Sequence, residues 1–371
     1  MFDIETLFLY NNSMKIIERK FLNTPTHSVH ASTVALWKGN PVFAWFGGTR
    51  EGAADVSIYV NNLEGDEKNI IIGDRDSIPR WNPILVPVNN SQPEHEKLYL
   101  FEKAGLFCDR WQTFLHDITN WTSDITPKEM RGRAKCLPAG INGPVKTAPI
   151  TLKDQPTKLL CGSAVETFYD WTSYIEEFRV DHNKSTLDYI DRSAPLRPHH
   201  KVAYRDHRSG MTKQSMGIIQ PALFEYGSVH AFFRSSYGLG KIYYSRTDNV
   251  FGKNSWLPAI PTNLQNPNSG IDVAVFPNQN RVFLVWNPSD RLREPLIVSE
   301  LNFTDNVERN VTERIIDIKE SIIIRDKVDD SDNTVSKELS YPYMIADEEN
   351  NLLHLTYTYG RSSVEYLTIA V

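Results

Sequence analysis

The chain alternates short apolar runs with polar or glycine-containing turns, and the runs are rich in β-branched and aromatic residues. Residues 34–37, the turn Lys38-Gly39-Asn40 and residues 41–46 read as a hairpin, and residues 56–60 alternate as a further strand. Counting 42–47 as the first, similar runs recur at 98–103, 158–163, 229–236, 282–287 and 352–358, spaced by about fifty to seventy residues. One small sheet cannot bury both of its faces, so repeated four-stranded units stack radially. The pattern therefore predicts an all-β fold, a six-bladed β-propeller of four-stranded antiparallel blades, as one domain over residues 1–371. Residues 184–201 and 326–338 lack a strand pattern and are predicted as long surface loops.

Composition narrows the function classes. Charged residues make up 23% and hydrophobic ones 40%, ordinary globular values that leave ample core. A net charge of -6 without a concentrated basic face speaks against a nucleic-acid partner. No apolar stretch is long enough to span a membrane. Residues 1–20 carry Asp3 and Glu5 before a weak apolar patch, which does not read as a secretory signal, so a cytoplasmic location is expected. Cys108, Cys136 and Cys161 have no metal-site spacing and suggest neither a disulfide framework nor a zinc site. No nucleotide fingerprint, phosphate loop or serine elbow occurs, so neither metal nor cofactor is expected.

A propeller gathers function at one end of its channel. The glycine-rich loop 47–55 would bring Arg50, Glu51 and Asp55 there, Arg234 ends the 229–236 run, and Arg293, with Arg291 beside it, follows the 282–287 run. Planar guanidinium groups converging on one point make a carboxylate or phosphate receptor. Asp55 and Glu51 are candidates for proton transfer, although Asp55 could equally bond turn amides. His30 is a candidate base, carboxylate partner or packed core histidine. Tyr341, Lys146 beside a tight turn, and Asn268 and Asp272 in the polar loop 266–272 complete the candidates.

Taken in order, HAST, AWFGGTREGAADVSIYV, RWNPIL, GPVKTAPI, LLCGS, IIQPALFE, NPNSGIDVAVF, SYPYMI and HLTYTYGR resemble the sialidase-like branch of the BNR-repeat proteins along nearly the whole chain. That resemblance implies a six-bladed propeller in which Arg50 is a pocket arginine, Asp55 the acid/base residue and Tyr341 the nucleophile. It further implies Arg234 and Arg293 as two members of a carboxylate-binding arginine triad, with Arg291 as the substitute for Arg293. Three positions depart from the family, Thr358 standing at an expected acidic position near the end. His30-Ala31-Ser32 stands where the first triad arginine belongs, and Gln220 stands near the expected activating glutamate, where it cannot take a proton from Tyr341.

The resulting expectation is a glycoside hydrolase acting on a terminal acidic sugar, its partner an acidic carbohydrate. A uronate-directed lyase or hydrolase and a non-catalytic glycan-binding propeller are the alternatives.

Overall fold

Each of the six apolar runs forms the second strand of a four-stranded antiparallel blade. The computed structural model describes residues 13–371, apart from 64–69, 74–77, 91, 120–133, 207–208, 253–254 and 306–310. Residues 1–12 of the opening stretch thus lie outside the described residues.

Blade one comprises β2 (Ser28–Trp37), β3 (Asn40–Gly48), β4 (Ser57–Asn62) and β5 (Ile70–Ile72). Blade two follows with β6 (Arg80–Val88), β7 (Lys97–Ala104), β8 (Gln112–Asp117) and β9 (Lys135–Cys136). Blade three is β10 (Ile150–Leu152), β11 (Gln155–Glu166), β12 (Trp171–Asp181) and β13 (Thr186–Arg192). A two-stranded excursion, β14 (Ala203–Arg205) with β15 (Thr212–Gln214), leads to blade four. That blade contains β16 (Ile218–Tyr226), β17 (Ser228–Ser235), β18 (Lys241–Thr247) and β19 (Ile260–Gln265). Blade five is β20 (Asp272–Phe276), β21 (Arg281–Trp286), β22 (Leu296–Leu301) and β23 (Ile318–Arg325).

Blade six joins sequence-distant strands. It takes β24 (Leu339–Asp347), β25 (Leu352–Tyr359) and β26 (Ser363–Ala370), and its outer edge is β1 (Lys15–Phe21), paired from Lys15↔Ala370 to Phe21↔Glu365.

Apolar side chains between neighbouring blades form the core. Phe43 meets Tyr366 at 4.8 Å between blades one and six, and Phe101 meets Phe178 at 5.1 Å between blades two and three. Burying a large apolar side chain contributes about 1.5–3 kcal/mol, so these contacts hold the ring together.

The expected loop at 184–201 needs correction, because it contains β13. Leu187 is buried while Asp188 is exposed, and Tyr189 pairs with Phe178 on β12. As the outermost strand it is largely solvated, so its polar composition hid a real ladder. Residues 326–338 carry no strand, as expected.

His230 on β17 supplies a test of the packing. Its Nε2 faces the carbonyl of Tyr226 at 3.0 Å and its Nδ1 the hydroxyl of Tyr244 at 2.8 Å, the partners of a neutral imidazole protonated on Nε2. Burial pushes its pKa down to about 4, against the opposing pull of the Tyr226 carbonyl and Asp305. The unfolded chain therefore binds a proton between about pH 6.5 and 4 that the folded chain refuses. Stability is expected to fall by about 3 kcal/mol as pH drops through that window. Urea unfolding of His230→Phe should lack this share of the slope; a slope identical to that of the parent protein would refute the assignment.

Candidate active site

Four inner strands share one backbone device at the same end of the channel. The register slips by a bulge between His30 and Thr33 on β2, Trp81 and Ile84 on β6, Ile219 and Ala222 on β16, and Ser340 and Tyr343 on β24. Ala31, Asn82, Gln220 and Tyr341 lie within these slips at φ of 51°, 42°, 54° and 51°. A left-handed non-glycine residue costs about 1–3 kcal/mol and persists where its surroundings impose it. The bulge re-aims a side chain that a regular strand would point elsewhere.

Two of the four side chains converge on Arg234. Gln220 Oε1 and Tyr341 Oη each accept a hydrogen bond from Arg234 Nη1 at 3.1 Å, and Asn268 Oδ1 accepts one from its Nε at 2.9 Å. The guanidinium also lies 5.6 Å from the ring centroids of Trp171 and Tyr341. Among the described residues these three neutral acceptors are its hydrogen-bond partners.

Arg293 enters from the loop after β21, donating from Nη2 to the carbonyl of Asn268 at 3.0 Å and from Nη1 to Glu338 Oε1 at 3.3 Å. Arg361 enters from the turn between β25 and β26. Its Nε donates to the same Glu338 oxygen at 2.8 Å, and its Nη1 pairs with Glu51. Burial raises the proton affinity of Glu338, but Arg293 and Arg361 outweigh it and hold the carboxyl below its ordinary pKa.

His30 lies within this group, 1% exposed, with its ring centroid 4.1 Å from that of Tyr341. Neither ring nitrogen has a hydrogen-bond partner among the described residues. Burial first, then Arg361, Arg293, Arg234 and Lys146, push its pKa well below the ordinary value, so the imidazole is neutral.

The remaining candidates divide into support and rim. Lys146 is buried, donates to the carbonyl of Pro342 and lies 5.9 Å from the Tyr341 ring centroid. Asp272 is buried and accepts the amide of Met344 at 3.1 Å. Burial drives the pKa of Lys146 down and that of Asp272 up. Both thus anchor β24 beneath Tyr341. Gly270 permits this closeness, since a Cβ there would stand 3.3 Å from Lys146 Cε.

On the rim, Arg50 and Asp55 are exposed. Asp55 Oδ2 accepts the amide of Thr49 at 2.9 Å and the Thr49 hydroxyl. That hydroxyl contributes most to lowering the Asp55 pKa, and Arg50 adds to the effect. Arg291 is exposed beside Asp290, with 3.8 Å between their charged atoms. From the loop 47–55, Glu51 is therefore the residue tied to the arginine cluster.

Sequence reasoning missed Arg361, Glu338 and Glu166. Arg361 stands two residues beyond β25, the offset at which Arg50 follows β3, and that regularity was the available signal. Glu338 lies in a stretch read as surface loop. Glu166 ends β11 opposite Trp171; burial raises its pKa, Glu51 adds to the rise and Arg234 opposes it.

Fold and site together define a six-bladed propeller with a cluster of arginines, Arg234, Arg293 and Arg361, where the inner ends of several blades meet. The chain belongs to the BNR repeat-like domain family, whose model matches residues 39–355. No curated protein sequence matches it. Among solved structures, Trypanosoma rangeli sialidase with the inhibitor DANA superimposes with a TM-score of 0.54 at 12% identity, covering 92% of this chain and 55% of that one. The NanB sialidase of Streptococcus pneumoniae gives 0.56 at 11%, covering 97% and 71%. An α-L-arabinanase of Penicillium chrysogenum complexed with arabinobiose gives 0.52 at 10%, covering 94% and 96%. The chain thus spans about half of the Trypanosoma protein. At these identities the likeness establishes the fold.

Proposed function

We propose that the protein is a glycoside hydrolase that removes a terminal carboxylated sugar. The observation that carries this reading is the placement of the Tyr341 hydroxyl on Arg234, against neutral His30, within a cluster of arginines. Arg234 and Arg293 hold the sugar carboxylate through charge-assisted hydrogen bonds. Tyr341 Oη, or a water assisted by His30, attacks the anomeric carbon and sheds its proton to solvent, while the glycosidic C–O bond breaks and Asp55 protonates the departing oxygen. Where Tyr341 attacks, water then releases the sugar, giving its proton to Asp55 as Tyr341 takes a proton back from solvent. The sialidase and arabinanase neighbours support a sugar substrate for this fold.

A second reading rests on His30 and Gln220. The His30 imidazole is neutral and has no hydrogen-bond partner among the described residues, and Gln220 cannot activate Tyr341 as a carboxylate would. If arginines neutralise a uronate carboxylate and so acidify the adjacent carbon, His30 or Tyr341 removes that proton and the linkage is eliminated. The test is to incubate the protein with a fluorogenic sialoside and with a uronate-terminated oligosaccharide. Free sugar without an unsaturated product is the expected outcome. Ultraviolet absorbance from an unsaturated uronate would replace hydrolysis with elimination, and silence on both substrates would refute an enzyme acting on either.

A further inference from the structure

Away from the arginine cluster, the outer edge of blade four encloses a cavity of about 580 Å³, a volume within the range of small-molecule sites. We propose that it binds a small amphipathic anion, a molecule with an aromatic or branched apolar body and one carboxylate- or sulfonate-like head. This site is separate from the one that would take a sugar and does not depend on it.

The sequence explains why the edge stays open. β19 is the outermost strand of blade four, and Pro258 before it and Pro261 within it carry no amide for a ladder. Neighbouring segments therefore touch this edge at single bridges, Pro198 with Ala259 and Thr262 with Arg314, and part between them. The Arg314 amide donates to the Pro261 carbonyl at 2.9 Å, which fixes the second segment in place. Leu257, Ala259, Ile260 and Pro261 line the cavity from the edge itself, Val202 from the first segment and Val311 from the second. Such walls take an apolar body.

The polar groups in the lining divide into spent and unspent. Tyr244 donates its hydroxyl to His230 Nδ1 at 2.8 Å, and Ser245 donates its own to the Leu257 carbonyl at 2.6 Å. Tyr243 differs: it is 8% exposed, and its hydroxyl has no hydrogen-bond partner among the described residues. Burial raises its pKa, so the phenol keeps its proton and is able to donate. His199 and His200 form the exposed side, with ring centroids 5.9 Å apart, and neither ring makes a hydrogen bond among the described residues. Each imidazole carries at least one N–H in either protonation state. Three donors thus remain for the oxygens of a ligand, which would recover the cost of leaving a buried hydroxyl unpaired.

Neighbouring charge sets the sign of the head. The Arg314 guanidinium lies 5.5 Å from the ring centroid of Tyr244, and exposed Lys201 stands between His200 and Val202 in the chain. The acid next to Thr312 in the lining, Glu313, is already paired with Lys241. An anion is the charge that field attracts.

The experiment is fluorescence titration of the full chain with 1-anilinonaphthalene-8-sulfonate and with N-phenyl-1-naphthylamine, which shares its apolar body and lacks the sulfonate. The folded parent protein is expected to take up a single equivalent of the sulfonate, about 10-fold more tightly than the amine. Tyr243→Phe should weaken the sulfonate by about 10-fold and the amine by much less. Val202→Trp, at the rim, fills the cavity and should abolish uptake of both dyes. Thr312→Trp, on the opposite wall, serves the same purpose if the first variant does not fold, as judged by near-ultraviolet circular dichroism. Failure of the folded parent to bind, or sulfonate binding that survives a folded filling variant, overturns the site. Equal parent affinity for the two dyes, or equal losses in Tyr243→Phe, overturns the anionic head.

Discussion

Asp55→Asn is expected to lower kcat/KM by about 10²–10⁴-fold on a glycoside whose leaving group is an ordinary sugar alcohol. The loss should shrink sharply on an aryl glycoside, whose leaving oxygen needs little protonation. The reason is local: amide and hydroxyl of Thr49 bind one oxygen of Asp55 on the open rim, so an incoming sugar ring can desolvate the carboxyl and reach it. In the free protein these bonds hold the Asp55 pKa below its ordinary value. Because the donor must carry its proton, kcat/KM should decline as pH rises through that low pKa, placing the alkaline limb below the usual aspartate range. Glu166 gives the opposite signature, since burial raises its pKa above the usual glutamate value. A limb above that value, lost in Glu166→Gln and retained in Asp55→Asn, would move the donor from blade one to blade three.

Arg234→Met should nearly abolish binding of acidic sugars, at a cost of about 2–5 kcal/mol. This arginine is 6% exposed, and its hydrogen-bond partners among the described residues are all neutral, so its charge is available to a ligand. Its removal would also free Gln220, Asn268 and Tyr341 from their common partner. Arg234→Lys is expected to restore little, because an ammonium cannot span three acceptors held in a planar fork. Titration with acid and ester, alongside thermal unfolding, separates the two effects. Equal affinity for the acid in parent and Arg234→Met proteins, with both folded, would remove Arg234 from the receptor.

The fold was legible because strand periodicity and turn chemistry are local, and blades repeat them. The runs that revealed the repeat are second strands, whose buried aromatic and branched residues leave an unmistakable pattern; the outer strand β13, half solvated, left none. Members of the arginine–carboxylate cluster were legible where they lie on such runs, as Arg234 does, or in a glycine-rich loop, as Glu51 does. Glu338 and Arg361 were hidden for a different reason. Their meaning comes from a shared partner across the channel mouth, and no spacing along the chain encodes the Arg293–Glu338–Arg361 bridge. Tyr341 was visible through family resemblance, but the bulge that aims it depends on the pairing of β24 with β25.

The pairing of β1 with β26 has a kinetic consequence. Lys15 meets Ala370 across most of the chain, so this contact has very high sequence separation and bears a large loop-closure entropy. Such contacts form late, after the local hairpins of the other five blades. The blade completed by that step is the one that carries Tyr341 and Arg361, and Arg361 then reaches back to blade one through Val29. Catalytic competence should therefore appear only at the final stage of refolding, lagging behind the recovery of β-sheet signal.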